Sequence, residues 1–320
     1  MRDIRIGAAQ FENRNGDKAY NFAAMKKLIN KAVDQGAEVV SFHEGCITAY
    51  TFVRNLSKPQ LLELAEFVPD GASTSELIHL AKEFNISILA GLFEKDENDN
   101  IYNTYVCVNK NGLVIKHRKL HTFINEHLTN GNEYSVFELD GIKGGILTCY
   151  DNNLVENVRI TTLIGAEVIF MPHVTCCLPS SMPGRGWVDK TLWDNRHRDP
   201  VRLRQEFMGP KGREWLMRWL PTRAYENGIY AVFTNPIGVD DDQIRNGNAM
   251  IIDPYGEIIT ECNTLGDDVV VGLCTPEKIA DSSGRRYLRA RRPSLYAKLT
   301  EKGVEEPVIE TGWGIVKKGQ

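Results

Sequence analysis

The feature that most constrains the fold of this chain is a short motif that occurs twice, each time after an amphipathic helix and at the start of a buried strand. Gly36-Ala37-Glu38-Val39-Val40 is echoed by Gly165-Ala166-Glu167-Val168-Ile169. The first copy follows an apolar strand at residues 4–9 and a helix at residues 17–35, and the second follows a helix at about residues 154–164. Strand, helix and strand at this spacing predict an α/β fold.

Two predicted hairpins repeat in the same order as the two motifs. The first runs from Tyr105 to Lys116 and turns at residues 109–112, and the second runs from Ala249 to Thr260 and turns at residues 253–256. Each turn contains a glycine where a tight turn needs one. Two similar halves of strands and a hairpin predict two sheets stacked face to face, with helices outside each. Chance similarity between short apolar strings is the alternative.

Composition limits the classes of protein to which the chain can belong. Its 320 residues suffice for one large domain or two ordinary ones. The formal net charge of −4 is opposite in sign to the basic excess of a typical nucleic-acid-binding protein. No apolar stretch approaches the roughly 18 residues that span a bilayer, and the first ten residues lack the apolar core of a secretion signal. The seven cysteines include no CxxC pair, so we expect reduced thiols in a cytoplasmic protein that binds neither nucleic acid nor membrane.

Three chemically reactive side chains follow predicted strands at equivalent places. Glu44 follows a strand that ends at Phe42, Lys119 follows the second strand of the first hairpin, and Cys149 ends a strand at residues 145–148. Ligands of α/β sheets gather beyond the carboxyl ends of the strands. We therefore expect these three residues to share one site.

A carboxylate, an ammonium group and a thiol form a complete set for thioester chemistry, without a metal or cofactor. The carboxylate can take the thiol proton, and the ammonium group can stabilise the charge that develops on the attacked group. Each residue alone has an ordinary structural interpretation: Glu44 as a solvated carboxylate, Lys119 as surface charge and Cys149 as a buried core thiol. If Cys149 is the nucleophile, we expect a depressed pKa and an alkylation rate far above those of the other six cysteines. We also expect Lys119→Met to abolish turnover and leave the fold intact.

The segment at about residues 178–218 departs from the α/β pattern. It is rich in proline, glycine, arginine and tryptophan, and a loop of this length is uncommon unless it is a lid, a binding element or an interface. One interpretation is a solvated, partly helical insertion whose arginines pair with nearby acids. The other is a lid or subunit contact, in which the arginines select substrates that carry a carboxylate or shield the site.

Three stretches resemble the signatures of the nitrilase (carbon–nitrogen hydrolase) superfamily. They are Phe42-His43-Glu44 running on to Tyr50, His117-Arg118-Lys119-Leu120-His121, and Thr148-Cys149-Tyr150-Asp151. Further segments resemble the family in the same order, namely Met171-Pro172-His173, Arg223-Ala224-Tyr225-Glu226-Asn227, Gly247 to Gly256, and Arg292-Pro293 with Leu295-Tyr296.

The resemblance implies a four-layer αββα sandwich of the nitrilase type that forms a homodimer or a larger homo-oligomer. We expect residues 1–275 to form the hydrolase domain, with the insertion, and residues 276–320 to form a C-terminal extension that packs on a partner subunit. The resemblance also implies Glu44 as general base, Lys119 as oxyanion stabiliser and Cys149 as nucleophile.

Further site residues are expected on the same basis. Glu126 matches a second glutamate that many members place beside the nucleophile. The backbone N–H of Tyr150 would share the oxyanion with Lys119, and Tyr50 matches a pocket aromatic. Tyr150 and Asn152 of the Cys-Tyr-Asp-Asn segment are also candidate substrate-binding residues. His173, at a strand end, either lines the pocket or hydrogen-bonds a loop. The histidines lack metal-site spacing, so no metal and no cofactor are expected.

The residues after Cys149 leave the substrate open. Many amidase-type members continue Cys-x-Asp-x-Arg-Phe-Pro-Glu, whereas this chain reads Cys-Tyr-Asp-Asn-Asn-Leu-Val-Glu from Cys149. Its first four residues are a conservative variant of the Cys-Trp-Glu-Asn of many nitrilases, so the segment lies between the two branches. We expect a thiol hydrolase of a small amide or N-carbamoyl compound. A nitrilase that makes acid and ammonia is the alternative, and a non-catalytic binding module on the same fold is a third.

Overall fold

Two six-stranded mixed β-sheets pack face to face in a computed structural model of the chain. The structure describes residues 1–301 and, for the backbone alone, residues 308–311 and 314–318. The first sheet contains β1 (Ile4–Gln10), β2 (Val39–Ser41), β3 (Ser87–Lys95), β4 (Ile101–Asn109), β5 (Gly112–Arg118) and β14 (Asp268–Cys274). The second contains β6 (Ser135–Leu139), β7 (Ile142–Ile146), β8 (Val168–Pro172), β9 (Tyr230–Thr234), β12 (Met250–Ile252) and β13 (Ile258–Glu261). The strands β10 (Ile237–Asp240) and β11 (Gln243–Asn246) form a separate two-stranded sheet.

The two sheets share one strand order, which confirms the repeat predicted from the sequence. The first sheet runs β14-β1-β2-β3-β4-β5, and the second, read from its β6 edge, runs β6-β7-β8-β9-β12-β13. In each sheet three central strands are parallel, one edge strand is antiparallel, and a hairpin continues the other side. The two copies of the Gly-Ala-Glu motif lead into the equivalent strands β2 and β8.

Ten helices are present in the described part of the chain: α1 (Lys18–Asp34), α2 (Lys58–Leu64), α3 (Ala72–Phe84), α4 (Val155–Leu163), α5 (Lys190–Asp194), α6 (Pro200–Met208), α7 (Arg213–Met217), α8 (Leu220–Asn227), α9 (Pro276–Asp281) and α10 (Ser283–Arg289). Short 3₁₀ helices lie at Thr51–Asn55, Cys149–Asn153, Pro293–Leu295 and Ala297–Thr300. None of the described helices has both the length and the apolar character needed to cross a membrane.

Three apolar cores define the layers. The inner core lies between the sheets and includes Ile6 and Leu89 of the first sheet with Phe170 and Val232 of the second. A second core joins the outer face of the first sheet to α1 and α3. A third joins the outer face of the second sheet to α4 and α8. Because burial of apolar area supplies most of the favourable free energy of folding, this order of layers is the stable one. The predicted αββα sandwich is therefore confirmed.

The insertion at residues 178–218 forms three short helices, α5 to α7, on the outside of the second sheet. Its apolar side chains Trp193, Leu203, Phe207 and Leu216 are buried in the third core. The predicted partial helicity is therefore correct. The segment is anchored to its own chain by these side chains.

The C-terminal part begins where the first sheet ends, since β14 stops at Cys274. Helix α10 packs against α8, and Arg285 Nε donates to the Gly228 carbonyl at 3.1 Å. The strands β15 (Val308–Thr311) and β16 (Gly314–Lys318) form a separate two-stranded ribbon. Residues 302–307, 312–313 and 319–320 of the predicted extension lie outside the described residues, and its packing on a partner stays a prediction.

Candidate active site

The carboxyl ends of four strands bring the predicted reactive residues together at one edge of the sandwich. Glu44 follows β2 and Lys119 follows β5, both in the first sheet. Cys149 follows β7 and His173 follows β8, both in the second sheet. Each sheet therefore supplies two of these four residues, and the face-to-face packing of the sheets brings all four together.

Glu44 and Lys119 form an ion pair that is fully shielded from solvent. Lys119 Nζ donates to Glu44 Oε1 at 2.8 Å, and both side chains are 0% exposed. Asn103 Nδ2 donates to the same oxygen at 2.6 Å, and the Val174 N–H donates to Oε2 at 3.2 Å. Three N–H donors thus hold the carboxylate in one orientation. Such bonds compensate for the loss of hydration that burial imposes on a charged group.

Two aromatic rings line the other sides of the Lys119 ammonium group. Nζ lies 4.6 Å from the centre of the Phe123 ring and 3.5 Å from the Tyr50 hydroxyl. Burial acts to lower the pKa of Lys119, but the nearby acidic groups, Glu44 first among them, outweigh it and hold the pKa well above its ordinary value. Lys119 is therefore a permanent cation of this site, and the alternative interpretation of Lys119 as surface charge is wrong.

Cys149 sits in a left-handed backbone conformation at a sharp turn. Its φ is +53°, although it is not a glycine, and it opens the 3₁₀ helix Cys149–Asn153. The sequence predicted a strand up to Thr148, whereas β7 ends at Ile146. Non-glycine residues in this region of backbone space cost free energy and cluster at active sites. The turn points the thiol towards the residues that follow β8, where Sγ donates to the Val174 carbonyl at 3.8 Å.

The Cys149 thiol is protonated in this arrangement. Burial and, next, the negative charge of Glu44 raise its pKa to about 12, although Lys119 and the bond to Val174 act in the opposite direction. The expectation of a depressed pKa is therefore wrong. The physical reason is first burial, which disfavours the thiolate, and then the negative charge of Glu44, with which Lys119 is already paired.

Asp151, to which the sequence assigned no role, joins the loop after β5 to the turn at Cys149. Its Oδ1 accepts hydrogen bonds from the His121 backbone N–H at 3.0 Å and from His121 Nδ1 at 2.7 Å. Its Oδ2 accepts from the N–H groups of Leu120 at 3.1 Å and Thr148 at 3.3 Å. Burial alone would raise the pKa of Asp151, but the nearby imidazoles of His117, at 4.0 Å, and His121, which donates at 2.7 Å, outweigh it and lower the pKa.

Asn152 and Arg223 brace the same turn. Asn152 Nδ2 donates to the carbonyls of Leu147 at 2.7 Å and Cys149 at 3.3 Å, and its Oδ1 is buried without a partner. Arg223 of α8 donates to the carbonyls of Asn152 at 3.1 Å and Asn153 at 3.0 Å. The side-chain nitrogen of Asn152 is therefore used in holding the turn, and only its oxygen is free to meet a substrate.

His173 is buried beside this turn, packed between Trp219 and Phe233. Its ring centre lies 5.6 Å from that of Trp219 and 4.9 Å from that of Phe233. Because Nδ1 lies 2.9 Å from the Met171 carbonyl, Nδ1 carries the proton and Nε2 is an acceptor without a partner. Burial lowers the pKa of His173 to about 3, so the ring is neutral.

The other predicted residues fall in different surroundings. Tyr50 is buried at the Lys119 ammonium group, held in place because Thr51 bonds to Asp240. Tyr150 is partly buried against Phe123, with ring centres 5.7 Å apart. Glu126 is exposed, and no hydrogen bond or ion pair joins it to the buried residues of the described chain. The structure thus does not bring Glu126 into the cluster.

Within the described residues, neither a metal-ligating group nor the surface cavity described next identifies another site. In residues 1–301, no group of three or more His, Cys, Asp or Glu side chains is placed to hold a metal ion. A surface cavity of about 440 Å³ is lined by Arg2, Glu38 and Lys110 among others, away from the carboxyl ends of the parallel strands. The cluster around Cys149 is therefore the candidate site on chemical grounds.

The chain is similar to known proteins over most of its length. Residues 5–282 match the family model described as "Carbon-nitrogen hydrolase". The chain is 27% identical over 271 residues to a protein of Pyrococcus abyssi named "Nitrilase", covering 84% of this chain and 88% of that one. It is 30% identical over 262 residues to the "2-oxoglutaramate amidase" of Bacillus subtilis, covering 80% and 85%.

Solved structures show the same fold at low sequence identity. A variant of the amidase from Nesterenkonia AN1, of the nitrilase superfamily, superposes with a TM-score of 0.68 at 18% identity, covering 92% of this chain and 97% of that chain. Nit3 of Saccharomyces cerevisiae, titled a member of branch 10 of the nitrilase superfamily, gives a TM-score of 0.67 at 20% identity, covering 95% and 96%.

Proposed function

This chain belongs to the carbon–nitrogen hydrolase family, and we propose that it hydrolyses an amide or N-carbamoyl compound through a thioester on Cys149. The observation that carries the proposal is the buried Glu44–Lys119 pair at the Cys149 turn. A base, a fixed positive charge and a thiol meet there at the ends of strands from both sheets.

In the first half of the proposed reaction, proton transfer and attack are coupled. Because the pKa of the thiol is about 12, Glu44 takes the proton from Sγ as the sulfur attacks the substrate carbonyl carbon. Negative charge then forms on the carbonyl oxygen. Lys119 directs one N–H at Glu44 and one, at 3.5 Å, at the Tyr50 hydroxyl, and its third N–H can donate to that oxygen.

The Tyr150 backbone N–H is the proposed second donor to the oxyanion. Within the described residues it makes no hydrogen bond, and the left-handed turn at Cys149 places it next to the nucleophile. A backbone donor of this kind needs no reorganisation during the reaction, which is the source of its effect on rate.

The second half of the reaction releases the products. When the tetrahedral intermediate collapses, the C–N bond breaks and the proton on Glu44 passes to the leaving nitrogen, so that ammonia or an amine departs. Water then attacks the thioester and gives a proton to Glu44. Glu44 returns this proton to Sγ as the acid leaves, which restores the starting state.

Tyr50, Tyr150, Asn152 and His173 are proposed contacts of the substrate, and Glu126 is a proposed catalytic residue beside the nucleophile. Tyr50 lies at the ammonium group, and His173 and Asn152 each offer a buried acceptor atom without a partner. Glu126 is exposed, so a role beside the nucleophile would require the loop that carries it to move.

A nitrile is the second candidate substrate. The Pyrococcus abyssi relative is named a nitrilase, and the residues after Cys149 resemble that branch. A non-catalytic binding module is less well supported, because a buried ion pair stabilises a fold poorly compared with apolar residues of similar volume. Such a pair at a thiol is better explained by chemistry.

The test is release of ammonia from a panel of amides, N-carbamoyl amino acids and nitriles. Cys149→Ala should abolish release. Cys262→Ala is the matched control, since Cys262 is equally buried and its Sγ also donates to a backbone carbonyl at 3.8 Å. Release that survives Cys149→Ala, or no release from any compound by a folded wild type, would refute the proposal. Nitrile turnover without amide turnover would select the nitrilase alternative.

Compartment and assembly remain proposals. We propose a cytoplasmic homodimer or larger homo-oligomer. The seven cysteines are all free thiols, which suits a reducing compartment. Cell fractionation and light scattering of the purified protein test the two parts separately.

A further inference from the structure

A further buried ion pair lies in the hairpin of β10 and β11. The turn of this hairpin is Asp241-Asp242, and Asp240 is paired directly with Gln243. Because paired residues share one face of a sheet, and residues two apart on a strand do so too, Asp240, Gln243 and Arg245 lie on the same face. Arg245 Nε donates to Asp240 Oδ2 at 2.9 Å, and the two side chains are 0% and 1% exposed. The hairpin thus carries a cation and an anion that are both shielded from solvent.

The guanidinium group of Arg245 also bonds to two segments outside the hairpin. Nη2 donates to Gln243 Oε1 at 2.7 Å within the hairpin and to Thr51 Oγ1 at 3.0 Å outside it. Nη1 donates to the Cys176 carbonyl at 3.1 Å. Thr51 opens the 3₁₀ helix that lies between β2 and α2, and Cys176 belongs to the segment that follows β8. One side chain therefore joins the hairpin to a segment beyond each of the two sheets.

The bond to Thr51 fixes the residue that follows Tyr50. The Thr51 hydroxyl accepts from Arg245 and donates to Asp240, and the Thr51 backbone N–H donates to Asp240 Oδ1 at 3.3 Å. Hydrogen bonds to charged groups are stronger than those between neutral groups. Tyr50 is buried, and its hydroxyl lies 3.5 Å from Lys119 Nζ. The ion pair of the hairpin thus sets the position of a ring beside the ammonium group.

The bond to the Cys176 carbonyl holds a strained segment that contacts both the thiol and the base. The Val174 carbonyl accepts from Cys149 Sγ at 3.8 Å, and the Val174 N–H donates to Glu44 Oε2 at 3.2 Å. Two residues later the backbone is left-handed, with φ of +66° at Cys176 and +52° at the next residue. Non-glycine residues in this conformation cost free energy and persist when the surrounding structure holds them. Arg245 supplies one of the bonds that hold them here.

A role in stability alone does not explain the arrangement around Arg245. A buried ion pair is often no more stabilising than apolar side chains of similar volume. What a guanidinium group adds is geometry, because its planar fork directs several donors at fixed angles. The geometry that it fixes here is that of two segments, which contact the ammonium group, the carboxylate and the thiol of the candidate active site.

We propose that Arg245 is a positioning residue, which acts on the reaction through its bonds to Thr51 and to the Cys176 carbonyl. The inference rests on the proposed function, since it gives Arg245 a part in the same reaction. None of its four hydrogen bonds goes to a reacting group. Loss of the fork should release the segment that covers Cys149, even while the charge of Asp240 stays paired.

The test separates the charge of Arg245 from its fork. Arg245→Lys keeps a cation beside Asp240, but a single ammonium group cannot also reproduce the bond to the Cys176 carbonyl. Arg54→Met is the matched control, because Arg54 joins the same 3₁₀ helix to the turn of the same hairpin, through Asp242 at 2.7 Å. Urea unfolding establishes that each variant is folded. If Arg245→Lys does not fold, Arg245→Met/Asp240→Asn, which removes both charges, takes its place.

The first measurement is the rate at which iodoacetamide alkylates Cys149, which needs no substrate. Burial is the first cause of the raised pKa of Cys149, so a loosened segment should lower that pKa and increase the thiolate fraction. At about pH 8, Arg245→Lys should react at least about tenfold faster than the wild type, the effect of a fall of one pKa unit. Arg54→Met should react at the wild-type rate. Cys262, which is also buried, is the internal control, and its rate should stay the same in all variants.

The second measurement is kcat for the best amide of the panel. Arg245→Lys should lower kcat by about tenfold to a hundredfold, because a misplacement of about 1 Å has an effect of this size, and Arg54→Met should keep the wild-type kcat. A folded Arg245→Lys with the wild-type alkylation rate or the wild-type kcat would overturn the proposal. Faster alkylation of Cys149 and Cys262 together would also overturn it, since that result reports lost stability alone. If the wild type hydrolyses no compound, the proposed function fails, and the alkylation rates still decide whether Arg245 holds the segment over Cys149.

Discussion

Glu44 and Lys119 lie 75 residues apart in the chain, yet their side chains form an ion pair of 2.8 Å in which neither is accessible to solvent. The pair does two things at once. The Glu44 carboxylate keeps Lys119 charged. Together with burial, its negative charge also keeps the Cys149 thiol protonated. The resting site therefore has a neutral nucleophile and a paired cation, and a substrate must trigger the proton transfer.

Lys119→Met should reduce turnover by at least about a hundredfold, because it removes a charged donor to the oxyanion. It should also lower the free energy of unfolding by about 3 kcal/mol, since Glu44 is left buried without its partner. The sequence predicted an intact fold for this variant, and the burial of Glu44 adds this cost in stability to that prediction. Urea unfolding and ammonia release measure the two effects.

The double variant Glu44→Gln/Lys119→Met is the control for this substitution. It removes both charges, so it should recover most of the lost stability and none of the activity. If the double variant is no more stable than Lys119→Met, the stability loss does not come from the unpaired carboxylate.

Glu44→Gln should make Cys149 more reactive towards iodoacetamide while turnover falls. Glu44 is the charged group that most raises the pKa of Cys149 after burial, and Lys119 acts to lower it. Without the carboxylate, the pKa should fall from about 12, because Lys119 is then free to pair with the thiolate. The alkylation rate and the thiolate absorbance are followed against pH. An unchanged titration of Cys149 in this variant would contradict the assigned charge balance.

Asp151→Asn should lower stability at neutral pH by about 2 to 4 kcal/mol, since one amide oxygen cannot accept the four hydrogen bonds that the carboxylate accepts. The pKa of Asp151 is lower in the folded protein than the unfolded value of about 3.9. Its contribution is therefore complete above about pH 4 and is lost as the pH falls below that value. The stability difference between wild type and variant should narrow in acid.

The same substitution at the exposed Asp281 is the control for this acid titration. Denaturant unfolding of all three proteins, measured at several pH values, gives the comparison. The charge of Asp151 is not the cause of the stability loss if the difference in free energy of unfolding between wild type and Asp151→Asn stays constant down to strong acid.

Arg223→Met should lower stability by about 1 to 3 kcal/mol and reduce kcat, because two buried carbonyls at the end of the Cys149 turn lose their donors. Arg218→Met is the matched control, since its partner Glu214 is exposed and such pairs contribute about 0 to 1 kcal/mol. Equal effects of the two substitutions would argue against a role for Arg223 in holding the turn.

The repeat in the sequence predicted much of the fold, and the strand ends predicted the meeting of Glu44, Lys119 and Cys149. Both predictions use local patterns whose geometry is general, because carboxyl ends of parallel strands meet at one edge. The resemblance to a known family added the roles of these residues and the identity of the fold.

The rest of the site depends on contacts that no local pattern specifies. Asp151 bonds to backbone N–H groups 30 and 31 residues away, and Asn103 reaches Glu44 from β4, which β3 separates from β2. The raised pKa of Cys149 depends on which group Lys119 is paired with. Glu126 lies in an irregular loop anchored by Asn125, which donates to the Val53 carbonyl at 2.9 Å. The spacing between Lys119 and Glu126 in the sequence could not predict that the Glu126 side chain is exposed.

The equal strand order of the two sheets has a consequence for the symmetry of the molecule. The chain is built like two copies of one unit, and a perfectly symmetric pair of such units would carry either two complete centres or none. Here one unit supplies the buried carboxylate and ammonium group, and the other supplies the thiol, so that the equivalent strand ends carry different chemical groups. Joining the units in one polypeptide lets each half specialise, and a single reaction centre per chain is the result.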